Sequence, residues 1–224
     1  MIVALLTLEY ITNFIARRCL QMDNDARQYA PSAARNRDPI WEVLKPHLPS
    51  RGLVLEVASG SGEHTVHFAR ASNSELIYQP SDPNPLARAS IDAWAEASGL
   101  ANIRPSIALD AAADVWPIER ADVVICINMI HISPWSSTVG LMRGAGRMLP
   151  AGGLLFLYGP YRREGQHMAP SNEEFDRDLR RRNPEWGVRD LEGVADLASQ
   201  SGFGPPAIAQ MPANNLSLLF RRTA

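Results

Sequence analysis

Gly60 and Gly62 stand two apart in "EVASGSGEH", residues 56–64, directly after the apolar run "LVLEV" and before a stretch with helical apolar spacing. A strand, a glycine turn and a helix in that order make a binding place, because glycine lets the backbone approach a ligand and the first helical turn presents unpaired amides. Asp82 follows Gly62 by twenty residues, at the end of the next apolar run. A carboxylate there can accept both hydroxyls of a ribose. Asp110 closes a third run, "IALD", at a place suited to an adenine amino group. Glu56, inside the first run, suits either orienting the turn or receiving an ammonium through water. Ala58 and Ser59 complete a cofactor set of Glu56, Ala58, Ser59, Gly60, Gly62, Asp82 and Asp110.

The residue types choose among nucleoside ligands. A dinucleotide fingerprint needs a third glycine at position 65, which is Thr65, and a phosphate loop needs a lysine after the glycines, whereas the chain's one lysine is Lys45. S-adenosylmethionine carries no phosphate and needs only close backbone approach, an acidic ribose clamp and a polar group near the adenine. It is the expected cofactor, with an NAD-dependent oxidoreductase and a non-catalytic binding protein as the alternatives.

The fourth apolar run ends in "NMIHISPW", beside the place where a sulfonium would lie. Asn128 is expected at the methionine end of the cofactor, and His131 at the reacting centre or the acceptor. The tetrapeptide that amino-methylating nucleic-acid enzymes place here is absent, since Met129 and Ile130 follow Asn128. Methyl transfer from a sulfonium is an in-line displacement in which alignment does much of the work. A hydroxyl, thiol or protonated amine acceptor would also need a base, for which His131 and Tyr158 lead and His167 and Asp176 follow. The acceptor pocket is expected from His131, Tyr158, His167, Asn172, Asp176, Arg189, Asn214 and Asn215. No cysteine or histidine spacing suggests a metal.

These residues need a scaffold. With 224 residues, 46% hydrophobic and 21% charged, the chain suits one globular domain with a sizeable core. A formal net charge of −2 gives no overall pull towards nucleic acid or anionic membrane. "RDLRRR", residues 177–182, mixes with nearby Glu173, Glu174 and Asp176 and reads as a solvated helix. Residues 1–21 carry Glu9 within an apolar run too short to span a bilayer. They read as an extension ahead of a domain over 22–224, and a cytoplasmic location follows by default.

Along that domain, Asp38 and Pro39 mark the start of a helix through Leu48. "GLVLEVA", "ELIYQPSD", a short irregular "IRPSIALD" interrupted by Pro105, "ADVVICINM" and "GGLLFLYGPY" read as parallel strands, with helices between them. Residues 162–188 interrupt the alternation with a polar insertion, expected as a substrate lid. "PPAIAQMP" and "NLSLLFRR" close the chain as an antiparallel hairpin.

"EVASGSGEH", "QPSDP", "NMIHISPW", "APSNEEFD", "WGVRDLE" and "MPANNLSLLFRR" resemble a family of short, largely uncharacterised methyltransferase-like proteins whose animal member is called methyltransferase-like protein 26. The resemblance runs from about Tyr29 to Arg222. It implies the Rossmann-like α/β fold of class I methyltransferases, a seven-stranded, mostly parallel sheet with an antiparallel last strand and helices on both faces. It agrees with S-adenosylmethionine as cofactor, and the near-neutral charge balance leads to the expectation of a small-molecule acceptor without nucleic-acid or membrane partners. Ala58 stands where methyltransferases usually carry the first glycine of the loop.

Overall fold

The computed structural model describes residues 25–223. The expected extension at 1–21 lies outside them. In chain order the elements are α1 (Pro31–Leu44), β1 (Gly52–Val57), α2 (Glu63–Ala71), β2 (Leu76–Ser81), α3 (Pro85–Ser98), β3 (Val123–Ile127), α4 (Trp135–Met148), β4 (Leu154–Arg163), β5 (Gln166–His167), α5 (Pro170–Arg182), β6 (Arg189–Asp190), α6 (Leu191–Gln200), β7 (Ala207–Met211) and β8 (Asn215–Arg221). Short 3-10 turns follow α1, β3 and β7.

The sheet runs β2-β1-β3-β4-β8-β7, with β5 and β6 paired to the far end of β4. It has eight strands rather than the expected seven. The two additions are two-residue strands on the overrun of β4, and the expected third strand contributes none. Ile103 and Ile107 bridge Tyr78 and Ser81 singly. Each segment carries a proline, Pro80 in β2 and Pro105 in its neighbour, that has no N–H to give to a ladder. The Gln79 side-chain amide fills in, donating to the Pro105 carbonyl at 2.8 Å. β8 pairs antiparallel with both β4 and β7, as the terminal hairpin pattern predicts.

Each central strand is apolar on both faces. In β3, Val123, Ile125 and Ile127 pack with Ile40, Leu44 and Phe68 beneath α1 and α2. Val124 and Cys126 face Leu141, Met142 and Ala145 of α4 on the other side. Such two-sided burial gives the unbroken hydrophobic strings that identify parallel strands. Cys126 is a buried free thiol.

α1 begins at Pro31, well before the Asp38–Pro39 start expected from the sequence, and Pro39 lies inside it. Pro31 takes the first helical turn, where a missing N–H costs nothing, and "SAAR" carries the helix forward. α3 is capped as its sequence suggests. The Asn84 side chain accepts from the Leu86 N–H at 2.9 Å, Pro85 opens the helix, and Gly99 ends it at φ +67°. From β1 the chain moves outward to β2, then crosses to β3 on the other side. The crevice at that reversal, beyond the carboxyl ends of β1 and β3, is where an open sheet of this kind receives a ligand.

Candidate functional site

The glycine turn lies in that crevice. Ala58 leaves β1 at φ +56°, Gly60 follows at +58° and Gly62 at +92°. The two glycines serve different ends. A Cβ on Gly62 would stand 2.7 Å from the Ile91 Cα, so its bare backbone lets α3 pack against the start of α2. A Cβ on Gly60 would meet nothing within 4 Å, and this is the open side of the turn. The Gly60 N–H donates to Asp82 Oδ2 at 3.1 Å, and the Asn84 N–H donates to Asp82 Oδ1 at 2.9 Å. Each Asp82 oxygen retains a lone pair, so the carboxylate that shapes the turn can still receive hydroxyls.

Glu56 sits under the turn, 2% exposed, accepting from the Thr65 hydroxyl. Burial pushes its carboxyl up to about 7, against the hydrogen bonds from Thr65 and Ser59, and the nearby Asp82 charge adds to the rise. Ser59 is held by its N–H donating to the Ser81 carbonyl at 2.9 Å and its hydroxyl to the Glu56 carbonyl at 3.1 Å. The turn is braced from outside as well. Glu63 Oε2 accepts from the Ala30 N–H at 2.6 Å and the Ser61 hydroxyl at 2.9 Å. Asp110 is exposed, and its Oδ1 accepts from the Ala112 N–H at 2.9 Å.

Asn128 follows β3 in the left-handed region, at φ +62°, and forms part of the wall of a cavity of about 700 Å³. The cavity opens between four elements. Ser32, Arg35 and Asn36 come from α1, and Tyr158 and Pro160 from β4. Ser171, Asn172 and Phe175 come from α5, and Pro212, Ala213 and Asn215 from the hairpin. α1 is fastened over it through α2. Burial pushes the His64 imidazole down to about 4, so the ring is neutral and its Nε2–H donates to Asn36 Oδ1 at 2.8 Å. Burial also raises the Tyr158 phenol above its ordinary range, with Asn36, Asn215 and Arg35 pulling the other way.

Of the expected acceptor-site residues, the structure gathers Tyr158, Asn172 and Asn215 onto this wall together with Asn128. Asn214 is exposed, and its carbonyl accepts from the Asn172 side-chain amide at 3.0 Å. His131 is elsewhere. It is fully buried and off the cavity wall, edge-on to Tyr161 with ring centroids 5.1 Å apart, and neither ring nitrogen has a partner among the described residues. Burial, reinforced by Arg189, pushes its pKa down to about 3. The ring fits because Gly159 lacks a side chain, whose Cβ would overlap His131 Nε2.

The insertion forms β5, α5 and the approach to β6, and α5 supplies one side of the cavity. His167, Asp176 and Arg189 lie behind this wall and tie it down. Asp176 accepts from the Val188 N–H at 2.7 Å and from Arg180 Nε at 3.0 Å, while His167 Nε2 stands 3.7 Å from it. Burial alone would raise this carboxyl, but Arg180, the Val188 amide and His167 hold it below its usual range. Arg189 donates to the carbonyls of Ile130, Ser133 and Glu185, at 2.9, 2.7 and 2.9 Å, and lies over the Trp135 ring. Asp176→Asn is therefore expected to destabilise the protein by about 1.5–3 kcal/mol, the cost of weakening charge-assisted bonds to a buried backbone amide. Urea unfolding of the unliganded protein measures it, and an unchanged midpoint would show that α5 is held by packing alone.

Sequence reasoning missed Ser32, Arg35 and Asn36. The signal was present in "APSAARN", a proline followed by small helix formers, but Asp38–Pro39 is a second plausible start a few residues on. Among the described residues no group of three or more acidic, histidine or cysteine side chains could hold a metal ion. No described helix is long and apolar enough to cross a membrane.

Solved structures share the fold. An O-methyltransferase family protein from Burkholderia thailandensis is 16% identical with a TM-score of 0.73, over 86% of this chain and 57% of that one. A putative O-methyltransferase from Nostoc punctiforme is 15% identical with a TM-score of 0.72, over 83% and 56%. Human N-acetylserotonin methyltransferase, solved in complex with SAM, is 16% identical with a TM-score of 0.66, over 83% and 53%. This chain thus spans just over half the length of each. Residues 27–222 match the family described as "Protein of unknown function (DUF938)", and the chain belongs to that family.

Proposed function

We propose that this protein is an S-adenosylmethionine-dependent methyltransferase acting on a small-molecule acceptor. The observation that carries the reading is the Gly60–Asp82 pair, a glycine open to the crevice whose N–H is fixed by a carboxylate with lone pairs to spare. Gly60 and Ser59 would line the methionine side of the cofactor, Asp82 its ribose and Asp110 its adenine, with Ala58 shaping the turn. Gly62 positions the turn by packing, and Glu56 would receive the ammonium. Asn128, on the cavity wall, would meet the methionine end. Thr65 stands where a dinucleotide site needs glycine and is buried against Glu56, which disfavours NAD.

When bound, S-adenosylmethionine supplies an electrophilic methyl group on a sulfonium. The chain's own contribution is alignment and exclusion of water: α1 and α5 close the cavity from two sides, and Tyr158 and Asn215 offer polar groups to orient an acceptor. Tyr158 is the wall's one side chain with a titratable hydroxyl, so it is the proton-handling candidate on the cavity side. His131 is assigned a supporting position beneath Gly159. We place the reaction in the cytoplasm, without a nucleic-acid or membrane partner.

The test is transfer of isotopically labelled methyl from S-adenosylmethionine into a fractionated cell extract, read by mass spectrometry. Label is expected in a low-mass compound and only with active protein. Label in protein or RNA overturns the acceptor class. S-adenosylhomocysteine binding without any transfer favours a binding protein that kept the fold.

A further inference from the structure

The acceptor cavity carries an unbalanced charge. Arg35 is the one charged side chain on its wall, and no carboxylate faces it. Some arginines elsewhere are matched by carboxylates, such as Arg162 by Asp190 and Arg180 by Asp176, and others stand on the surface without one. Arg35 has no ion-pair or hydrogen-bond partner among the described residues. It is also well placed, because its neighbour Asn36 is clipped to His64 and so fixes this turn of α1 over the cavity. The remaining polar wall groups are serine and asparagine side chains and Tyr158, which can all donate, and none is anionic.

The wall also carries apolar side chains. Ile132 and Phe175 are each 38% exposed there, unusually open for large hydrophobic residues. A cavity with one guanidinium, neutral donors and an apolar face is complementary to a molecule with an apolar body and a single negative charge. A carboxylate meets that description, since its two oxygens match the guanidinium fork and its one charge matches one arginine. A phosphate dianion would leave a surplus charge.

We propose that the acceptor is a carboxylate-bearing small molecule with an aromatic or aliphatic body, its carboxylate held by Arg35 across the cavity from Phe175. The proposal deepens the methyltransferase reading and rests on it for the ligand's role as acceptor. The carboxylate is the anchor, and methylation takes place on the body presented towards Asn128. Arg35 is a specificity-determining residue.

The experiment uses two probes of the same shape, 4-hydroxybenzoate and 4-hydroxybenzamide, titrated calorimetrically into the full chain with and without saturating S-adenosylhomocysteine. Benzoate is expected to bind at least about tenfold tighter than the amide, a preference in keeping with a charge-assisted bond at a partly exposed site. Arg35→Gln is expected to erase that preference and Arg35→Lys to restore part of it. Equal binding of the two probes, a preference that survives Arg35→Gln, or no binding of either at millimolar concentration overturns the proposal. The two readings fail separately. Absent S-adenosylhomocysteine binding with the benzoate preference intact sinks the methyltransferase and leaves the anion site, whereas cofactor binding without preference sinks only the carboxylate.

Discussion

Asp82→Ala is expected to weaken S-adenosylhomocysteine binding by at least about 100-fold while leaving a folded protein. The proposed site asks Asp82 for two bonds to ribose hydroxyls. Hydrogen bonds to a charged group are worth about 1.5–3 kcal/mol each, and every 1.4 kcal/mol is tenfold in affinity. A second loss reinforces the first. Asp82 also holds the Gly60 N–H at 3.1 Å, so its removal frees the turn that would face the cofactor. Both N–H groups that it accepts lie at the crevice edge, where water can replace the carboxylate, so the fold is expected to persist with a lower unfolding midpoint. Calorimetric titration and thermal unfolding of the unliganded protein separate these effects. A lowered midpoint with unchanged affinity would mean that Asp82 only shapes the turn, and the cofactor site would then lie elsewhere.

Much of this arrangement is legible in the sequence because each signal is local. The β1 string, the glycine pair and the following helix are contiguous, and two-sided burial makes β3 apolar throughout. What escapes is set by packing between distant segments. Gly60 and Gly62 look alike in sequence, yet one faces open space and the other faces Ile91, a distinction made by α3. His131 follows a strand end just as an active-site histidine would, but the empty volume at Gly159 draws it into the core. Asp176 and Arg189 look like pocket residues in a polar insertion, and their charge is spent on backbone groups of neighbouring loops. The contribution of α1 depends on where one helix begins, and local signals are weakest at element boundaries.

Glu56 gives the sharpest dependence on pH. Its folded-state pKa of about 7 lies above its ordinary 4.5, chiefly because burial penalises the charged form. Below 4.5 the group is protonated whether the chain is folded or not. Between 4.5 and 7 the unfolded chain has released the proton and the folded chain keeps it, so stability falls as pH rises through this window. The full loss is about 3 kcal/mol, from the rise from 4.5 to about 7 at 1.36 kcal/mol per pH unit. Glu56→Gln removes the titration, so the variant should gain on the wild type across that window and hold a constant difference above it. Cofactor binding should run the opposite way. An ammonium near Glu56 favours its carboxylate, so wild-type affinity for S-adenosylhomocysteine is expected to rise with pH through about 7, and the glutamine variant should bind weakly and without that rise. Unfolding curves and titrations at pH 5, 6, 7 and 8 measure both trends. If stability follows the predicted window while affinity stays flat, Glu56 braces Thr65 and the turn and takes no part in holding the ammonium.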